Sequence, residues 1–91
     1  MTAIRVIISG RVQGVWFRGW TIETATRFGL DGWVRNRRDG TVEAVFSGPE
    51  EKLQAMREAC RRGPPMARVV HVEEIGHEGP VESGFTALSS V

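Results

Sequence analysis

Several residue types that carry chemistry are nearly missing from this sequence. It has one cysteine (Cys60), one lysine (Lys52), one asparagine (Asn36), two histidines (His71 and His77) and no tyrosine. A lone cysteine excludes an intramolecular disulfide and fits a reducing compartment. Cys60, His71 and His77 do not have the spacing of a metal-ligand set, so a zinc site is not expected. No cofactor is expected. No apolar run approaches the ~18 residues of a membrane span. The start, MTAIRVIISG, lacks the pattern of a secretory signal. The expected location is therefore cytoplasmic, with no membrane partner. Charge of one sign is also lacking: 12 basic residues against 11 acidic ones leave a formal charge of +1. That excludes the strong electrostatic footprint of a nucleic-acid binder.

What is present fits one small soluble domain. The 91 residues predict a single domain over 1–91, because a second would have no core. Ile4 to Ser9 is apolar and β-branched, which predicts a buried strand. Gly10 to Phe17 reads as a loop. Phe17, Thr21, Ala25 and Phe28 then fall on one helix face, and Gly29 is placed to end that helix. Trp33–Arg37 and Thr41–Phe46 have strand character, with the turn signal Asp39-Gly40 between them. Ser47 and Glu50 have capping-box spacing, and Pro49 suits a first helical turn. Leu53, Met56 and Cys60 make the buried face of that second helix. Arg61 and Arg62 favour its C-terminal end, and Gly63-Pro64-Pro65 stops it. Arg68–Ile75 predicts a strand with an irregular register, its core candidates being Val69, Val70, Val72 and Ile75. Phe85–Leu88 predicts a short last strand. The order predicts an α+β, ferredoxin-like split βαβ sandwich: an antiparallel sheet of four to five strands with two helices on one face.

The loop after the first strand is the most informative segment. Gly10-Arg11-Val12-Gln13-Gly14-Val15-Trp16-Phe17-Arg18 runs from a strand into a helix N-terminus. Unpaired N–H groups and the positive dipole end make such a place an anion site. Gly14 lets the backbone turn inward, and Arg18 adds a fork that matches phosphate oxygens. An arginine at a helix start is also commonly a solvated surface residue, and an asparagine near a hairpin is commonly a turn residue. No Gly-Lys-Ser/Thr follows, so this is not a Walker loop. It holds no cysteine or histidine to form a covalent phosphoenzyme.

The run from Ile8 to Arg18 resembles the acylphosphatase signature Gly-x-Val-Gln-Gly-Val-x-Phe-Arg, which it matches at every fixed position. Gly32-Trp33-Val34-Arg35-Asn36, followed by Gly40, Val42 and Gly48, resembles that family's second signature. Gly63-Pro64-Pro65 with Ala67, Val69 and Val72 is similar to its passage into the fourth strand. The resemblance implies hydrolysis of the carboxyl–phosphate bond of small-molecule acyl phosphates, without a metal. A monomer is expected. The resemblance places the phosphate-binding arginine at Arg18 and the water-orienting asparagine at Asn36. It places the backbone cradle on Val12, Gln13, Gly14, Val15, Trp16 and Phe17. The alternative is a noncatalytic phosphate- or acyl-phosphate-binding accessory or sensor domain. One departure is Gly19, where the family has a larger residue; a glycine there implies a loosely started helix and a less well held Arg18.

Other residues have two readings. Trp16 either lines the entrance or packs. Trp33 is expected in the core, and Trp20 partly exposed. Arg35, Arg37 and Arg38 either attract an anion or are solvated surface charge. Cys60 is expected to be core and unreactive. The third strand lacks the stacking aromatics of an RNA-recognition sheet.

Overall fold

The computed structural model describes residues 2–91. The elements are β1 (Thr2–Arg11), α1 (Phe17–Arg27), β2 (Asp31–Asn36), β3 (Val42–Gly48), α2 (Glu50–Arg62), β4 (Arg68–Gly76) and β5 (Phe85–Ala87). They build one sheet of order β4-β1-β3-β2-β5. The first four strands pair antiparallel, as the split βαβ order predicts. The fifth pairs parallel with β2, Trp33 opposite Thr86, so the complete sheet is mixed.

Both helices cover one face of this sheet. Ile4, Val6 and Ile8 of β1, Val34 of β2, and Val42, Ala44 and Phe46 of β3 meet Phe17, Ala25, Leu53, Met56 and Cys60 there. Spacings of two along the strands, and of three and four along the helices, place these side chains on the facing surfaces. Helix α1 ends as its sequence predicts. Gly29 takes φ +73°, and the N–H groups of Gly29 and Leu30 return to the carbonyls of Thr26 and Ala25. That double bond is the Schellman arrangement, which needs the left-handed conformation glycine adopts freely.

Four expectations are corrected. Helix α2 is not capped by Ser47, which stays in β3; Pro49 is the capping residue, in extended conformation and with no side-chain cap. Glu50 and Glu51 compensate the helix end by charge instead. In β4, Val69 and Val72 pack against the core, but Val70 and Ile75 do not. The register slips at Ser9/Gly10 and resets which residues face inward. Strand alternation also excludes Trp33 from the core: Gly32 and Val34 face the helices, so Trp33 and Arg35 lie on the opposite face. There the Arg35 guanidinium sits 4.8 Å from the centre of the Trp33 ring. Trp20 is half-buried, edge-on to Phe17 at 5.3 Å between centroids.

Candidate active site

The sheet brings two distant segments to the same edge. Ile8 pairs with Val42, and Val42 pairs with Asn36. The C-terminal ends of β1 and β2 therefore flank the start of β3. Neighbouring strands lie about 4.8 Å apart, so Asn36 stands roughly 10 Å across the sheet from Ile8. Asn36 is two residues from the fully buried Val34, so the two share the helix-facing side. The loop leaving β1 and the first turn of α1 occupy that side.

The loop alternates. Val12, Val15 and Phe17 are buried and anchor it to the core, while Gly14, Trp16 and Arg18 are exposed. Gly14 has φ +74° and Trp16 φ +67°; Trp16 is the sole non-glycine with positive φ among the described residues. Val15 between them has a negative φ. Such alternation turns successive N–H groups toward one point, a geometry that suits anions. None of the N–H groups of residues 12–16 donates a backbone hydrogen bond among the described residues.

Helix α1 then begins with its positive end uncompensated. Trp16 caps it without a side-chain hydrogen bond, and its first turn holds no acidic residue. Arg18 adds a further positive charge there. The contrast with α2 is direct, since α2 carries two acidic residues in its first turn and two arginines in its last. A capping side chain typically contributes about 1 kcal/mol, and α1 forgoes it. The arrangement is unfavourable by itself and becomes favourable with an anion in front of it.

The loop is also tied to the strand that carries Asn36. The Gln13 side-chain amide donates to the carbonyls of Arg37 at 2.8 Å and Thr41 at 2.9 Å. The Gln13 side chain is thus a clamp, and only its backbone is left to face a ligand. Unlike Gln13, Asn36 has its amide committed to no protein partner among the described residues. Arg18 takes no part in the ion pairs that hold Arg5, Arg35, Arg37 and Arg57. A cleft of about 310 Å³ is lined by Val12, Gly14, Trp16, Phe17, Arg18, Gly19, Ile22, Asn36 and Ala87. Arg18 and Asn36, 18 positions apart, thus face one space.

The family is now decided by sequence as well as by shape. The acylphosphatase profile matches residues 4–87. The chain belongs to the acylphosphatase family. An acylphosphatase of Rhodospirillum rubrum is 55% identical over all 91 residues of both chains. The crystal structure of acylphosphatase from Bacillus subtilis superposes with a TM-score of 0.91 at 37% identity, covering 97% of this chain and 99% of that one. The structure of HypF from T. kodakarensis also matches, with a TM-score of 0.82 at 33% identity; this acylphosphatase fold makes up 12% of that longer chain.

Two parts of this structure were not read from the sequence. Arg35 does not face the cleft. It pairs with Glu43 at 2.7 Å on the far side of the sheet, and Arg5 reaches the same carboxylate at 3.0 Å. Glu43 is only 3% exposed; the signal for it was the hairpin register, which sets Arg35 directly opposite Glu43. Arg37 pairs more loosely with Asp39 at 3.6 Å. The second part is the apolar lining of Gly19, Ile22 and Ala87. Gly19 and Ile22 share a helix face by their spacing of three. Gly19 has a packing reason: a Cβ there would collide with the Trp16 indole, 2.8 Å from its Cδ1 and Cε2 atoms. Helix α1 starts regularly at Phe17 despite the glycine.

Proposed function

We propose the following division of labour for the acyl phosphate hydrolysis that this enzyme performs. The backbone N–H groups between Val12 and Phe17 hold the phosphoryl oxygens. Arg18 spans two of those oxygens with its planar fork. Asn36 orients a water in line with the leaving carboxylate. The water attacks phosphorus, the P–O bond to the acyl group breaks, and the electron pair leaves on the carboxylate. Carboxylate and dihydrogen phosphate are the products, which accounts for both protons of the water.

Few groups are required because the substrate is already activated. A carboxylate leaves readily, so no strong acid is needed at the leaving oxygen. Phosphoryl transfer then depends on positioning and on stabilising spread charge. The amide of Asn36 has no useful pKa and serves as donor and acceptor. No group of three or more His, Cys, Asp or Glu residues is placed to hold a metal among the described residues. The reading extends to a single domain over 1–91 that works as a cytoplasmic monomer on a small molecule. Nucleic acid and membrane are not partners in it. No helix of the described residues is long and apolar enough to cross a membrane.

The observation that carries this reading is the uncapped α1 N-terminus facing the same cleft as Arg18 and Asn36. Its test is release of inorganic phosphate from acetyl phosphate in the presence of EDTA. Turnover is expected to persist with EDTA. Arg18→Ala is expected to lose roughly 10³-fold or more, the scale of an arginine at a transferring phosphoryl group. The accessory reading has one observation in its favour, the occurrence of this fold within a longer chain. Phosphate binding without any turnover would support that reading and overturn the catalytic one.

A further inference from the structure

Trp16 combines three features that packing alone does not require. It is 58% exposed although it is the largest side chain of the loop. It holds a left-handed backbone conformation, which is costly for a bulky residue. Its indole lies against the one helical position that lacks a Cβ, Gly19. Ile22, one turn further along α1, and Ala87 of β5 line the same cleft. The cleft thus joins a polar group of Gly14, Arg18 and Asn36 to an apolar group of Trp16, Gly19, Ile22 and Ala87.

We propose that Trp16, seated on Gly19, is a specificity-determining shelf that selects acyl phosphates with a flat aromatic acyl group over those with a short alkyl one. This rests on the reading of Arg18 and the loop amides as the phosphoryl site. With the phosphoryl group held there, the acyl group extends toward the indole. A flat ring stacks on it, while Ile22 and Ala87 supply apolar contact. Such aromatic contact adds selectivity beyond the area buried. Gly19 is part of the device, because any side chain there displaces the indole from its seat.

The test compares kcat/KM for benzoyl phosphate and acetyl phosphate in four proteins: wild type, Trp16→Phe, Trp16→Gly and Gly19→Ala. Glycine is chosen at position 16 because it accepts the positive φ. The benzoyl-to-acetyl ratio is expected to fall roughly 3- to 10-fold in Trp16→Gly, the scale of one aromatic contact. It should fall in the same direction in Gly19→Ala, where Trp16 is present but displaced, and be largely kept in Trp16→Phe. Gly19→Ala carries the test even if Trp16→Gly fails to fold. A ratio in Gly19→Ala and in folded Trp16→Gly equal to that of wild type would overturn the shelf while leaving the phosphoryl site intact. Failure of the wild type to hydrolyse either substrate would instead overturn the catalytic reading, and the shelf with it.

Discussion

Replacing Gln13 with alanine separates the clamp from the chemistry. The Gln13 amide makes two hydrogen bonds that bridge the loop to the β2–β3 hairpin. The carbonyls it serves are not orphaned by its loss: Arg37 still accepts from the N–H of Gly40, and Thr41 still accepts from the N–H of Arg37. The cost is therefore two net hydrogen bonds without a buried-orphan penalty, about 1–2 kcal/mol. For a domain of this size that corresponds to a fall of about 4–16 °C in Tm. The effect on rate should exceed that on stability, because the loop amides lose their fixed distance from Asn36. A misplacement on the order of 1 Å can cost up to about 10²-fold. Gln13→Ala is expected to lower kcat/KM for acetyl phosphate by roughly 10- to 100-fold at a temperature where it is fully folded. Gln13→Glu should be worse, since it turns a donor into a carboxylate facing two carbonyls. Thermal melts and steady-state kinetics on the folded variants check both parts. A Gln13→Ala protein with wild-type Tm and wild-type kcat/KM would refute the reasoning.

Two further expectations concern groups outside the cleft. Burial pushes the Cys60 thiol up to about 12 from 9.0. Native protein should therefore resist a disulfide reagent at pH 8 and react at one thiol in urea. A folded pKa above the unfolded one means the contribution is full below pH 9 and lost as pH rises toward 12. Stability should fall there by up to about 1.4 kcal/mol per pH unit. The absence of tyrosine and the single lysine leave that window unusually clear in urea titrations; no decline would contradict the burial of the thiol. Glu43→Ala leaves Arg5 and Arg35 facing each other without their shared carboxylate. Both arginines are partly exposed, at 39% and 27%, so solvent screens the loss. About 1–2 kcal/mol is expected by urea denaturation, with Glu43→Gln retaining part of it.

Periodicity was enough to read the elements and the buried faces of Phe17–Ala25 and Leu53–Cys60, because each side chain there obeys its own element's spacing. What it missed depends on pairing between elements. Val70 looked like core until the slip at Ser9/Gly10 turned it outward. Trp33 looked like core by its size, yet Gly32 and Val34 took the inner face of β2. Ser47 had the spacing of a cap but remained in β3, whose pairing with Thr2 to Ile8 extends to Gly48. For the site, Arg18 and Asn36 stood out in the two signatures, and the structure brings them to one cleft. The Gln13 clamp and the Trp16–Gly19 seat were hidden, because each is a contact between a loop and something it meets only after folding. Gly19 appeared as a departure that loosens the helix; in the fold it is the space the indole fills.

Asn36→Ala tests the central claim most directly. Its backbone, in β2, stays paired with Val42 of β3, so only the side-chain amide is removed from the cleft. The measurement is kcat for acetyl phosphate together with the inhibition constant of inorganic phosphate on the same preparation. A group that positions water acts in the transition state and not in phosphate binding. The expected result is a loss in kcat of roughly 10²-fold or more with phosphate inhibition changed less than about threefold. An unchanged kcat, or a fall in kcat matched by an equal loss of phosphate binding, would contradict the role assigned to Asn36.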